Sequence, residues 1–501
     1  MSTDPRDQII AERDRMIAER DRIIAERDQR IAELEQLLRL ALARIAESDR
    51  RIIKLEAELA ELKAQLKRNS TNSSKPPSSD PPGVVRPSKK SKGKKRGGQP
   101  GHQGHHRKLL PSDKVSRTVD VIPPTCDCCG ERLHGSDAEP YRHQVVDLPF
   151  IVPDVTEFRL HVLGCSHCGR TTRAKLPSDV PHGSFGPRLS AFVAICTSKY
   201  HISKRGVREF LADVLGVDLS LGSVSKIEQQ VSIALASPVS EAREYVRQRA
   251  VVNADETSWR ENKRKAWLWV AATRLVTVFV VATSRCAAVA KHLLGETFKG
   301  VLVTDRWAGY SWVGVSRRQI CWAHLKRDFQ SWVDGGGTGA KIGRSMLAEV
   351  RRLFRLWYRV RDGTLDRASF VKKMRPIQIN VGTLLSEASW CPTGRVRGMA
   401  KEMLKLEWAF WTFVETVGVE PTNNFGERQI RHAVLWRKGC FGTDSASGSL
   451  FVERTLTVIT TLRQQQRNAL EFIAATCRAE LTGSEKPSLI VDQDHIMLAA
   501  A

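Results

Sequence analysis

Several things are scarce in this chain, and each scarcity excludes a class. Cysteine numbers only 11 in 501 residues, and four of these stand in two CxxC pairs. Such sparse usage argues against a disulfide scaffold and fits a reducing compartment with metal-binding thiols. No uninterrupted apolar run is long enough to span a bilayer, and the N-terminus lacks the pattern of a signal peptide. A membrane partner is therefore not expected, and a cytoplasmic location is. Acidic residues are in deficit, with Asp plus Glu at 55 against Lys plus Arg at 79, a net charge of +24. That excess points to a polyanionic partner, most simply nucleic acid.

What is present begins with a repeat. Ile10, Ile17, Ile24, Ile31, Leu38, Ile45, Ile52, Leu59 and Leu66 recur every seven residues, the period of a coiled coil. The second seam position is poor early (Arg13, Arg20, Arg27) and better later (Leu34, Leu55, Leu62). Residues 1–68 are expected to self-associate into a homo-oligomer; a single helix packed on its own protein is the alternative.

Residues 69–108 form a linker rich in Ser, Pro, Gly and Lys, expected to be disordered alone. Its run Lys89, Lys90, Lys92, Lys94, Lys95 and Arg96 would neutralise backbone phosphates without reading sequence. A merely solvated charge run is the other reading.

A module over 109–186 follows. Cys126 and Cys129, then Cys165 and Cys168, each pair closed by Gly, have the spacing of a four-thiolate zinc site. The Gly lets the chain turn so that backbone amides face the sulfurs. Cys128 is a spare thiol, and 145–163 has strand character. Structural zinc is expected, with unligated cysteines as the alternative. Residues 187–246 read as helix, helix, short turn, helix, compatible with a helix-turn-helix or with any small bundle. Lys204, Arg205 and Lys226 are its phosphate-contact candidates.

Three carboxylates organise the rest. Asp255 closes the apolar stretch 250–254, and Asp305 closes 300–304. Between them, 267–281 is apolar but broken at Arg274, as in a hairpin, and 286–294 is helical. Strand, hairpin, helix, strand is the order of a ribonuclease-H-like core, which would set the two Asp on neighbouring strands. Glu427, on a later helical stretch, could dock beside them. Three acids in one place require a cation such as magnesium or manganese, and two ions can clamp the attacking and leaving oxygens of a phosphodiester. Each acid alone could equally be a surface charge, and Asp328 or Asp334 could replace one of them. Glu427 could simply pair with Arg431, four residues on; read functionally, Arg428 and Arg431 face phosphate.

The chain resembles the DDE transposases of the insertion sequence 66 family over nearly its whole length. The resembling stretches are Asn69 to Pro77, Arg96 to His102, the two Cys pairs, Asp255-Glu256-Thr257, Thr304 to Tyr310, Cys321-Trp322-Ala323-His324 and the segment around Glu427. Arg306-Trp307 departs from the family, which more often has Gly and an aromatic there. The resemblance implies a transposase whose metal-dependent strand cleavage and strand transfer act on element ends (terminal repeats) and target DNA. It also implies accessory transposition proteins and a nucleoid-associated place of work. Cys321 and His324 match a C-x-x-H element of several transposase families, and a supporting role follows for them. From the residues alone, a nuclease that cuts without joining and a DNA-binding regulator with an inactive core stay open.

The expected architecture is thus a multidomain α+β protein. It has an N-terminal coiled coil, a small zinc-binding module, a helical DNA-binding region, and a ribonuclease-H-like catalytic core over 247–460. A helical insertion occupies about 325–415, and 461–501 is a tail. Trp408 and Trp411 are expected in the core rather than stacked on a base.

Overall fold

The computed structural model describes residues 5–66, 69, 73–75 and 108–491. The basic run from Lys89 to Arg96 lies outside these. The chain divides into two compact units, Met1–Ser88 and Lys89–Ala501.

In the first unit, helix α1 runs Pro5–Leu66 without interruption. Beyond Pro5 it holds no Pro and no Gly, the two residues that break helices. The heptad residues Ile10 through Leu59 remain 46–60% exposed, leaving an uncovered apolar stripe.

In the second unit, two small turns come first. Strand β1 (Val162–Gly164) pairs antiparallel with β2 (Thr171–Arg173) around Cys165 and Cys168, and the bridge Thr125–Arg132 brackets the first Cys pair. The expected strand over 145–163 is realised only at its end. Val145, Leu148 and Phe150 are exposed, and a strand needs a partner for its backbone groups.

Helices α2 (Pro187–Ser198), α3 (Lys204–Leu215), α4 (Leu221–Ala234) and α5 (Ala236–Arg247) follow. Ser203 and Ser220 cap α3 and α4 through hydrogen bonds from Gly206 N and Ser223 N, both 3.0 Å. Gly216, at φ +63°, ends α3 in the left-handed region.

A five-stranded sheet sits at the centre. It comprises β3 (Val251–Glu261), β4 (Arg264–Ala272), β5 (Thr277–Ala282), β6 (Val301–Thr304) and β7 (Arg318–Ile320), with α6 (Ala287–Leu294) between β5 and β6. The order is β5-β4-β3-β6-β7. The first three strands are antiparallel, and β6 and β7 run parallel to β3. The hairpin broken at Arg274 is present. Strand β3, expected to stop at Asp255, continues six residues to Glu261 and turns through Asn262 and Lys263, both at positive φ, as a two-residue hairpin turn requires.

Helices α7 (Trp322–Asp334), α8 (Gly337–Arg361), α9 (Arg367–Ala388), α10 (Gly394–Leu404) and α11 (Thr412–Glu415) form a helical layer after β7. The chain then returns through α12 (Asn424–Cys440), α13 (Ala446–Gln464) and α14 (Ala469–Thr482). The expected boundary between residues 460 and 461 falls inside α13, because that helix covers the sheet edge. Backbone amides of Thr277, Phe279 and Val281 on β5 donate to Thr461 Oγ1, Thr457 Oγ1 and Glu453 Oε1 at 3.1, 3.0 and 2.8 Å. Alternate residues of an edge strand are thereby satisfied by side chains, which blunts the edge.

Two apolar cores result. One joins α2–α6, most of the sheet and α12–α14; the other joins Val303 and Ile320 to α7–α11. On β6 the neighbours Leu302 and Val303 belong to different cores, as side-chain alternation dictates. Trp411 is buried against Trp322, ring centroids 4.9 Å apart, whereas Trp408, expected inside, is 82% exposed. Among the described residues no helix is long and apolar enough to cross a membrane.

Candidate active site

Parallel pairing of β3 with β6 ends at Asn253 opposite Val303. Asp255 and Asp305 each lie two residues further, so the register delivers both acids to the same end of two central strands. The third acid arrives on α12. Buried Asn423 precedes that helix and ties it down: its side chain accepts from Asn253 Nδ2 at 2.9 Å and donates to Ala254 O at 2.8 Å. Its backbone amide donates to Cys321 Sγ at 3.1 Å, and Trp322 N donates to Pro421 O at 2.9 Å. A Cβ on Gly426 would stand 2.9 Å from Asn423 Oδ1 and 3.3 Å from Asn253 Cβ, so glycine permits this close approach. Glu427, in the first turn of α12, is thereby held over β3. Asn253 and Asn423 had no sequence signal of their own, because their partners lie about 170 residues away.

The acids at this end fall into two groups. Glu256 and Asp328 are paired. Glu256 accepts from Tyr310 Oη at 2.6 Å and from Arg285 Nε at 2.9 Å, and Asp328 accepts from Arg306 Nε and Nη2 at 2.9 and 2.8 Å. Asp328 is therefore engaged structurally, and Asp334, at the far end of α7, bonds to Gln330. Asp255, Asp305 and Glu427 form no ion pair with Arg or Lys among the described residues. The local pair with Arg431 is not made, and Arg428 and Arg431 are exposed. Asp255 Oδ1 accepts from Glu256 N, and Asp305 Oδ1 from Trp307 N, both at 2.9 Å. Buried Arg318 reaches the Asp305 carbonyl at 3.3 Å.

Electrostatics record the crowding. Burial pushes the Asp255 carboxyl well above the usual carboxylate range, and Glu256, Glu427 and Asp305 add to the rise in that order. Glu427 is also raised, first by burial, with Arg327 opposing and Asp305 reinforcing. Oxygen ligands that repel one another and form no ion pair with Arg or Lys suit a hard divalent ion, so these residues fit magnesium.

Cys321 and His324 stand beside the acids. The Cys321 thiol is fully buried and pushed up to about 11 by burial. Burial, then Arg327, holds His324 down to about 4, so its imidazole is neutral near pH 7. Its Nδ1 lies 3.6 Å from Glu427 Oε1, and neither atom has a hydrogen-bond partner. Among the described residues, Cys321, His324 and Glu427 form the group of three whose donor atoms all lie within 4.8 Å of one another. The Asp255–Asp305–Glu427 set is more widely spaced.

The two Cys pairs form matching knuckles. Cys126 N and Cys165 N donate to Glu131 O and Arg170 O at 2.8 Å, and Gly130 N and Gly169 N return to Cys126 O and Cys165 O at 2.9 Å. Gly130 and Gly169 take φ of +78° and +71°. Backbone amides of Cys129 and Cys128 lower the Cys126 thiol, and those of Cys168 and His167 lower Cys165. The four thiols are not gathered into one cluster, however. Of the helical-region candidates, Arg205 and Lys226 are exposed, but Lys204 is held by Glu228 at 2.8 Å and by Ser225 at 2.9 Å. Arg437, on α12, turns to Thr257 Oγ1 at 3.1 Å.

The model of the Transposase IS66 family matches residues 182–449, a little over half of the chain. The chain belongs to the IS66 transposase family. A second match, to a family of unknown function, covers residues 17–108. An uncharacterized protein, y4hP of Sinorhizobium fredii (strain NBRC 101917 / NGR234), is 25% identical over 401 residues, 71% of each chain. The IS66 match spans all three unpaired acids together with Cys321 and His324, and leaves both knuckles outside it. Membership makes this a transposase-type, DNA-processing protein whose family uses divalent metal.

Proposed function

We propose that this protein is a DNA transposase that cleaves strands at the ends of an insertion sequence and joins them to target DNA. The carrying observation is the trio Asp255, Asp305 and Glu427: unpaired, mutually repelling and delivered to one strand end by register and by Asn423. The sheet order, with β3 central, an antiparallel hairpin on one side and two parallel strands on the other, supports a ribonuclease-H-like core. Asp255, Asp305 and Glu427 would hold magnesium, or manganese, which supplies a Lewis acid and an activated oxygen nucleophile for phosphodiester chemistry.

The remaining residues set the stage. Asn253 and Asn423 fix α12 so that Glu427 faces the two Asp. Arg318 holds the Asp305 backbone, and the Glu256–Arg285–Tyr310 group keeps Glu256 out of the set of unpaired acids. Exposed Arg428, Arg431, Arg205 and Lys226 bind phosphates, joined by Lys89 to Arg96 of the linker. Cys126, Cys129, Cys165 and Cys168 close on structural zinc when the two knuckles meet. The exposed stripe of α1 pairs with a second copy to give a homo-oligomer. The protein works on the nucleoid in the cytoplasm, with accessory transposition proteins.

The test is strand transfer with labelled element ends and magnesium, comparing wild type with Asp305→Asn. Joined product from wild type, reduced roughly 10³-fold or more in the variant, is the expected outcome. Cleaved but never joined DNA would replace the reading with a nuclease. Binding without any product would replace it with a DNA-binding regulator.

A further inference from the structure

At the start of α7, Cys321 and His324 meet Glu427 of α12. Cys321 caps α7, and His324, three residues on, lies in its first turn on the same face. The first turn of α12 brings Glu427 against them. A buried thiol, a buried imidazole nitrogen and a buried carboxylate oxygen converge within 4.8 Å of one another. His324 Nδ1 and Glu427 Oε1 face each other at 3.6 Å with no other partner. Buried polar atoms left unpaired are costly and rare, and here two of them point at the same place as a sulfur.

We propose that Cys321, His324 and Glu427 form a binding site for one transition-metal ion of the zinc class, separate in chemistry from the magnesium position. Ligands about 2.0–2.3 Å from a tetrahedral ion stand roughly 3.3–3.8 Å apart, and the His324–Glu427 separation falls in that range. Sulfur and imidazole select zinc or cobalt, and magnesium has little affinity for either. The thiol proton leaves to solvent as the metal–sulfur bond forms. Three protein ligands leave the fourth position to water.

Glu427 belongs to both sets. An ion held by Cys321 and His324 engages the carboxylate that the Asp255–Asp305 side needs, so zinc inhibits the magnesium-dependent reaction. This inhibitory consequence rests on the transposase reading; the binding site itself does not.

The test uses the full chain and cobalt(II) alone as the probe, followed by visible absorption and by stoichiometry after gel filtration. Wild type is expected to bind one more cobalt per chain than Cys321→Ser, and the thiolate-to-cobalt band weakens accordingly. His324→Gln and Glu427→Gln are expected to lose the same single ion, with thermal melts showing that each variant is folded. Should Cys321→Ser fail to fold, these two variants decide. Equal stoichiometry in wild type and in the folded variants overturns the site. Cobalt binding lost as expected, with no strand transfer from any protein under magnesium, sinks the transposition reading and leaves the site standing. Strand transfer with no difference in cobalt does the reverse.

Discussion

The knuckle segment and the acid centre are both proposed to hold cations, yet they are made in opposite ways. Each knuckle is complete within a few residues: a CxxC pair, a glycine at positive φ, and backbone amides aimed at a sulfur. Nearly all of its side chains are exposed. The acid centre is not assembled locally. Its members come from residues 255, 305 and 427, and polar ties reaching across about 170 residues hold it. Local sites can form without a core, whereas the acid centre exists only when both cores are packed.

That contrast can be tested at three strengths. Asn423→Ala should have the largest effect. It leaves Ala254 O without its partner and frees the start of α12, costing roughly 1–3 kcal/mol, read as a fall in the urea midpoint, while metal binding by the knuckles is unchanged. A variant as stable as wild type would show that the tie is dispensable.

A smaller effect of opposite sign is expected for Asp255→Asn. The folded-state carboxyl is raised above its unfolded value, so its ionised form destabilises the metal-free fold. Stability therefore rises as pH falls through the raised value, and the gain is complete below the ordinary carboxylate range. Removing the charge should stabilise the metal-free protein by roughly 0.5–2 kcal/mol and flatten this pH dependence; calorimetry across pH 4–8 (about the carboxylate window and above) checks both. A lowered melting temperature near neutral pH would contradict it.

Breaking a knuckle should do least to the core. Cys126→Ser is expected to expose 109–186 to limited proteolysis while shifting the core's unfolding free energy by no more than about 0.5 kcal/mol. A large loss of core stability would mean that the two regions are not independent.

Much of the sheet was readable because its signals are local. The hairpin shows as an apolar run broken at Arg274, and the two Asp show as acids closing apolar strands. The continuation of β3 through Asp255, Glu256 and Thr257 was not readable, because polar residues in a strand look like its end until a partner strand is known. Trp408 and Trp411 illustrate the same limit: three residues apart and chemically identical, one is exposed and the other packs on Trp322. The commitment of Asp328 to Arg306, and of Glu256 to Arg285 and Tyr310, depends on contacts 22 to 54 residues distant. Sequence spacing alone cannot separate such engaged acids from free ones.

The lateness of α12 also bears on synthesis. Glu427 follows Asp305 by 122 residues, so at translation rates of about 5–20 residues per second it is made roughly 6–24 s later. During that interval the nascent chain already carries the heptad helix, the linker, both knuckles and α2–α5. On the proposed transposase reading, it meets DNA or a sister chain before it has a third acid. Any polypeptide released early, short of Asn424, would carry those segments without the third acid.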